Sequence, residues 1–166
     1  MITIGIDPGT AITGYGIIKE DQDGCLIVLD FGVIRTSAES SQADRLVQLY
    51  QKIKQIILLH QPDLAAVEKL FFERNVRTAL NVGQARGVAL LALAEAHLQI
   101  GEYTPMEIKQ AVAGYGGADK NQVQQMVRTI LGLAEVPHPD DAADALAVAI
   151  CHIHSAKMQN ILQQKS

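Results

Sequence analysis

The spacing of the apolar segments in residues 1–36 restricts the fold more than any other feature of the chain. Ile2, Ile4 and Ile6 alternate with Thr3 and Gly5 in the manner of a strand. Residues 13–20 (TGYGIIKE) alternate again, the polar DQDG at 21–24 marks a turn, and residues 25–36 (CLIVLDFGVIRT) read as a third strand. Connections this short cannot hold a crossover helix, so the three strands pair as an antiparallel meander. Beyond residue 36 the period changes. Leu46, Leu49, Ile53, Ile56 and Ile57 recur at helical spacing after a cap at Ser40, Ser41 or Asp44, and this helix ends near His60. Residues 61–68 (QPDLAAVE) have the pattern of a buried strand, and a long helix is predicted over about 76–98, ending near Gly101. A short strand ends at Tyr103 or Thr104, with Pro105 suited to the first turn of another helix. After the glycine-rich GYGGADK, Asp119 or Asn121 starts a helix that stops around Gly132, and a last helix runs from Asp140 or Asp141 to about Met158. The order β-β-β-α-β-α-β-α-α-α is that of an α/β protein with a five-stranded mixed sheet flanked by helices.

A chain of 166 residues that is 48% hydrophobic can bury one real core and is marginal for two. Residues 1–158 are therefore read as a single domain and 159–166 as a polar tail that frays. No apolar run is long enough to span a membrane and the N-terminus lacks the pattern of a signal peptide, so the chain reads as cytoplasmic, with no membrane partner. Cys25 and Cys151 stand alone, without the spacing of a zinc site or a disulfide framework, and both read as buried thiols. The net charge of −4 is unlike that of most nucleic-acid binders. The charge is unevenly distributed, however. Residues 1–68 carry 5 basic and 9 acidic side chains, residues 69–128 carry 7 and 5, and residues 129–166 carry 2 and 4.

Three segments present acids where elements begin or end: Asp7 before Pro-Gly, Glu68 at the end of QPDLAAVE, and Asp141 with Asp144 in DDAADALAVAI. Asp7 alone admits two readings, the cap of a tight turn or a carboxylate held for use on a metal ion or a phosphate. Asp141 and Asp144 are three apart and share a helix face near a partly positive N-terminus, where aspartates are usually caps. The company of the other acids shifts the balance. If the first and fourth strands lie side by side, Asp7 and Glu68 meet, and the final helix need only cross that edge to complete the group. Crowded carboxylates repel one another and persist only with protons or cations as partners. Hard oxygen donors on several elements suit Mg²⁺, with Mn²⁺ as a substitute, and two such ions would serve hydrolysis of a phosphodiester.

The segments IGIDPGTAITGYGII, VEKLFFERN, NVGQARGVA and DDAADALAVAICH, in this order from residue 1 to about 154, resemble the RuvC family of Holliday-junction resolvases, bacterial endonucleases with an RNase H-like fold. The resemblance implies that Asp7, Glu68, Asp141 and Asp144 are the catalytic, metal-holding acids. Asp140, just before the family's DAAD pattern, is read as a cap, and His138 is kept in view for a supporting role. The family's mode of action implies a homodimer that nicks two strands of a four-way DNA junction symmetrically and leaves ligatable 5′-phosphate ends. It also implies junction contacts by Phe71, Lys69, Arg74, Lys109 and Lys120, dimerisation through the helix containing GQARGVALLALAEA, and RuvA and RuvB as partners. Phe71 would stack on an unpaired base. Without its four site acids the chain has 14 basic and 14 acidic residues, so the low pI is compatible with DNA binding.

The main alternative is a lobe of an actin-like or sugar-kinase-type ATPase, whose first phosphate loop also reads as a strand, an Asp and Gly-Thr. Such proteins need two lobes, each about the size of this chain, and neither a second Asp-Gly phosphate loop nor an adenosine-binding Gly-Gly stretch is found here. Another RNase H-like nuclease is a further alternative.

Overall fold

The computed structural model describes residues 1–69 and 76–164, with side chains described for residues 1–69 and 79–156. Strands β1 (Ile2–Asp7), β2 (Ile12–Glu20) and β3 (Leu26–Arg35) form the expected meander, with both pairings antiparallel. β4 (Leu64–Glu68) then pairs parallel to β1, and β5 (Gln99–Tyr103) parallel to β4, giving a sheet of order β3-β2-β1-β4-β5. The two parallel pairings follow from the helices that intervene: α1 (Gln42–His60) returns the chain before β4, and α2 (Val76–Glu95) before β5.

Each face of the sheet has its own apolar layer. On one, Ile4, Ile6, Ile17, Ala65 and Val67 pack against Leu49 and Ile53 of α1 and Ala85, Ala89 and Leu93 of α2. On the other lies α5 (Asp140–Gln164), covered in turn by α3 (Pro105–Ala113) and α4 (Lys120–Ile130). From Ala142 to Ile153 every α5 residue except Asp144 is buried, which is how a helix enclosed on all sides reads. Its approach to the sheet depends on glycine. A Cβ on Gly5 would lie 2.2 Å from the Ala145 carbonyl oxygen, and one on Gly14 would lie 1.8 Å from that of Asp141. These glycines and the alanines of α5 let backbone meet backbone, and the helix is thereby fixed over β1 and β2.

The helix ends follow local chemistry. Ser41 caps α1 by accepting from the Asp44 N–H, while Thr104 and Asp119 form capping boxes with Glu107 and Gln122 at the starts of α3 and α4, with Pro105 in the first turn of α3. Three features differ from expectation. α2 stops at Glu95 rather than near residue 98, because His97 adopts a left-handed conformation (φ 58°) and Leu98 N–H bonds back to the Leu93 carbonyl at 3.2 Å. Gly101 is accordingly a residue of β5. α5 continues to Gln164. Cys25 is exposed, at the turn before β3, and only Cys151 is buried. In β3 the register slips so that Ile17 faces Asp30 and Ile18 faces Val28, and this bulge puts Val28 and Phe31 on the same α5-facing side.

Candidate active site

The ends of β1 and β4 build the centre of the site. Their register runs from Thr3 opposite Leu64 to Ile6 opposite Val67, so the next pair is Asp7 and Glu68. The two carboxyls hydrogen-bond to each other. On the other side of β1, Asp7 pairs with Gly14, the residue on which the Asp141 backbone rests. The bare Gly14 thus brings the first turn of α5 beside Asp7, and Asp144 follows one turn along the same helix face.

The electrostatics register this crowding. Asp7 is pushed well above the ordinary aspartate value, first by desolvation, then by the charge of Glu68 and its hydrogen bond, then by Asp144 and Asp141. Glu68 is raised as well: burial and Asp144 outweigh the relief from Asp7, Lys109 and Lys120. Asp144 is raised by burial and by Asp140 and Asp141, against the opposing pull of Lys120. Burial and neighbouring carboxylates thus disfavour the charged forms of both Asp7 and Glu68, and a cation would offset that penalty.

Lys120 bridges Asp140 and Asp144, with Nζ 3.2 Å from a carboxylate oxygen of each. Burial works against its ammonium, yet the two acids outweigh burial and hold Lys120 above the usual lysine value. Asp140 is exposed and lowered by this partner. Its side chain serves as the counter-ion of Lys120, a different role from the cap expected for it, and His138, exposed two residues earlier, acts electrostatically on Asp140. Beside the acids opens a cleft of about 200 Å³ lined by Glu68, Ile108, Lys109, Lys120, Val123 and Asp144.

Of the basic residues expected near a substrate, Lys109 and Lys120 thus stand at the acids. Lys69 does not: it follows β4 with its N–H on the Tyr103 carbonyl (2.7 Å), and its charge is felt at Glu107. Phe71 and Arg74 lie outside the described residues. Two relationships had no signal in the sequence. Lys120 is 24 positions from Asp144, and Arg86, one of the middle basic block, donates from Nε to the Glu68 carbonyl (3.2 Å).

Among the described residues, no three histidine, cysteine, aspartate or glutamate side chains gather closely enough to enclose a metal ion as they stand. The donor set nevertheless fits a hard divalent cation. Asp7, Glu68 and Asp144 are carboxyls raised by burial and by neighbouring carboxylates, and Mg²⁺ retains waters and takes phosphate oxygens rather than requiring a closed protein cage. No helix among the described residues is long and apolar enough to cross a membrane.

Comparison with known proteins places the chain. Residues 3–152 match the family described as crossover junction endodeoxyribonuclease RuvC. Relatives of that name from Roseiflexus sp. (strain RS-1) and Chloroflexus aggregans are 58% and 60% identical, each over 94% of this chain and over 92% and 94% of their own lengths. The structure of Thermus thermophilus RuvC superposes with a TM-score of 0.89 at 38% identity, covering 96% of this chain and 97% of that one. The same protein in complex with a Holliday junction substrate gives 0.87 at 35% identity, covering 95% and 96%. The yeast mitochondrial Holliday junction resolvase Ydc2, at 15% identity and a TM-score of 0.67, shares the RNase H-like fold. On the family match over residues 3–152 and the identity of these relatives, this chain belongs to the RuvC family of crossover junction endodeoxyribonucleases.

Proposed function

We propose that this chain is a structure-selective endodeoxyribonuclease that resolves four-way DNA junctions by nicking two strands symmetrically. The observation that carries the reading is the convergence on Asp7 of Glu68 from β4 and of Asp141 and Asp144 from α5, with too little positive charge to balance them. Asp7, Glu68, Asp141 and Asp144 would hold Mg²⁺, with Mn²⁺ able to substitute and two ions per site. Held by these four acids, such ions would supply activation of the attacking water and charge stabilisation of the leaving oxygen. Hydrolysis joins the water oxygen to phosphorus and breaks the bond to the 3′ oxygen, which takes a proton, so each nick carries a ligatable 5′-phosphate.

The chain's own groups divide the remaining tasks. Asp7 and Glu68 are both raised, so a cation arriving there would favour their charged forms and couple binding to deprotonation. Lys109 and Lys120, on the walls of the cleft, attract the phosphate backbone, and Lys120 leaves Asp144 to do so. Lys69 and Arg74 add positive charge for the phosphate backbone, and Phe71 stacks on a base freed at the crossover. Residues 1–158 act as one nuclease domain, with 159–166 an appended tail. A homodimer matches the two-fold symmetry of the junction, and α2 supports it by exposing Leu80, Gln84, Gly87 and Leu91 along one stripe. Family membership supports RuvA and RuvB as partners and a cytoplasmic location.

The test is nick mapping on a synthetic four-way junction and on linear duplex of the same sequence, with Mg²⁺ or EDTA. Paired, symmetry-related nicks in the junction alone, sealed by ligase, are expected. Equal cutting of junction and duplex would overturn the assignment.

A further inference from the structure

The Glu68 carboxylate is aimed by a backbone that lacks its regular support. The Lys69 N–H donates to the Tyr103 carbonyl of β5, so by the alternation of a parallel strand the peptide groups of Glu68 face β1. Continuing the β1 register, the Glu68 carbonyl would accept from residue 8, but that residue is Pro8, which has no N–H. The proline that turns the chain away from Asp7 thus removes the donor that would hold Glu68.

Arg86 fills the gap. It rises from α2 on the sheet face opposite α5, donates from Nε to the Glu68 carbonyl at 3.2 Å, and ion-pairs through Nη2 with Glu102. Glu102 lies in β5 opposite Val67, so one guanidinium ties the ends of β4 and β5 to α2. The Arg86 side chain is 21% exposed, against 38% for that of Glu102. The flanking Ala85 and Ala89 are fully buried against the sheet and fix the height of the helix.

We infer that Arg86, oriented by Glu102, is a positioning residue that fixes the Glu68 peptide and so aims its carboxylate toward Asp7. The inference rests on the reading of Glu68 as a site acid. The Arg86 guanidinium is directed at two groups of the protein, the Glu68 carbonyl and the Glu102 carboxylate. A fork geometry is required, with one nitrogen on the carbonyl and another on the carboxylate. Lysine supplies the charge without the fork.

The experiment compares wild type, Arg86→Lys and Glu102→Gln in three readouts: Mn²⁺ affinity by titration calorimetry without DNA, four-way junction affinity in Ca²⁺, and cleavage rate at saturating junction as Mg²⁺ is varied. Arg86→Lys is expected to weaken Mn²⁺ binding and raise the Mg²⁺ needed for half-maximal rate by about 10-fold, the scale of losing an outer-shell support, with junction affinity unchanged. Glu102→Gln, which keeps the Nε bond and serves if Arg86→Lys fails to fold, is expected to move the same readouts in the same direction by less. Wild-type metal response in both variants would overturn the inference. So would a loss of junction affinity with the saturated rate intact, which would make Arg86 a DNA contact. Failure of the wild type to nick the junction would instead count against the nuclease assignment, and the calorimetric arm would still decide the role of Arg86.

Discussion

Two lysine–carboxylate pairs in this molecule have similar geometry and opposite consequences. Lys54 on α1 reaches Glu95 at the end of α2 at 2.8 Å, and Lys120 reaches Asp144 at 3.2 Å. At the first, Glu95 falls below the ordinary glutamate value through Lys54 and the Tyr50 hydroxyl, as a solvated pair with balanced charge should. At the second, Asp144 stays above the ordinary aspartate value with its lysine in place. The difference is the company. Burial and the neighbouring Asp140 and Asp141 outweigh one ammonium, while nothing comparable surrounds Glu95. A surface pair joins two helices; the Lys120 pair belongs to a group that still lacks positive charge.

The comparison is broken hardest by removing acids. Glu68→Gln and Asp144→Asn should each lower cleavage by more than the roughly 100-fold typical of losing an outer-shell partner, with junction affinity in Ca²⁺ retained. Glu95→Gln should leave cleavage unchanged in the same assay. Next in size is Gly14→Val. Its side chain would enter the Asp141 backbone, so a loss of about 1–3 kcal/mol in denaturant melts is expected, with slower cleavage because Asp141 is displaced. The smallest effects come from the lysines. Lys120→Met should lower the metal-free melting temperature at neutral pH, and Mg²⁺ should restore it. Lys54→Met should leave the melting temperature within error and insensitive to Mg²⁺. The sign of the pH dependence follows from Asp144, whose folded value lies above its unfolded one. Below the unfolded value both states are protonated and Lys120→Met matches wild type. As pH rises through the folded value the native carboxylate must ionise without its cation, and the deficit appears.

Most of the fold and the acids could be read from the sequence because they are local. The meander follows from short polar connections between alternating runs, and the caps at Ser41, Thr104 and Asp119 lie immediately beside the runs they start. Asp7 and Glu68 could be brought together because each ends a strand. What escaped reading depends on neighbours remote in the chain. No spacing shows that α5 covers Gly14 and Gly16, with Asp141 over one and Leu146 against the other. α2 ends before its apolar period suggests because the residue that takes the left-handed conformation is His97, which does not advertise a stop as glycine does. The partners of Lys120 and Arg86 are set by packing of α4 against α5 and of α2 against the sheet, and no spacing encodes them.

The central claim is that the carboxyls around Asp7 carry more negative charge than the protein can balance and await a cation. Thermal melts of wild type and Asp7→Asn, in EDTA and then in Mg²⁺, test it directly. Stability tied to Asp7 is lost as pH rises above the ordinary aspartate value toward its raised one, because the unfolded chain releases its proton first. At neutral pH in EDTA, Asp7→Asn should therefore melt above wild type, and Mg²⁺ should raise wild type more than the variant. A variant that melts below wild type in EDTA, with the same response to Mg²⁺, would contradict the account and make Asp7 a structural cap.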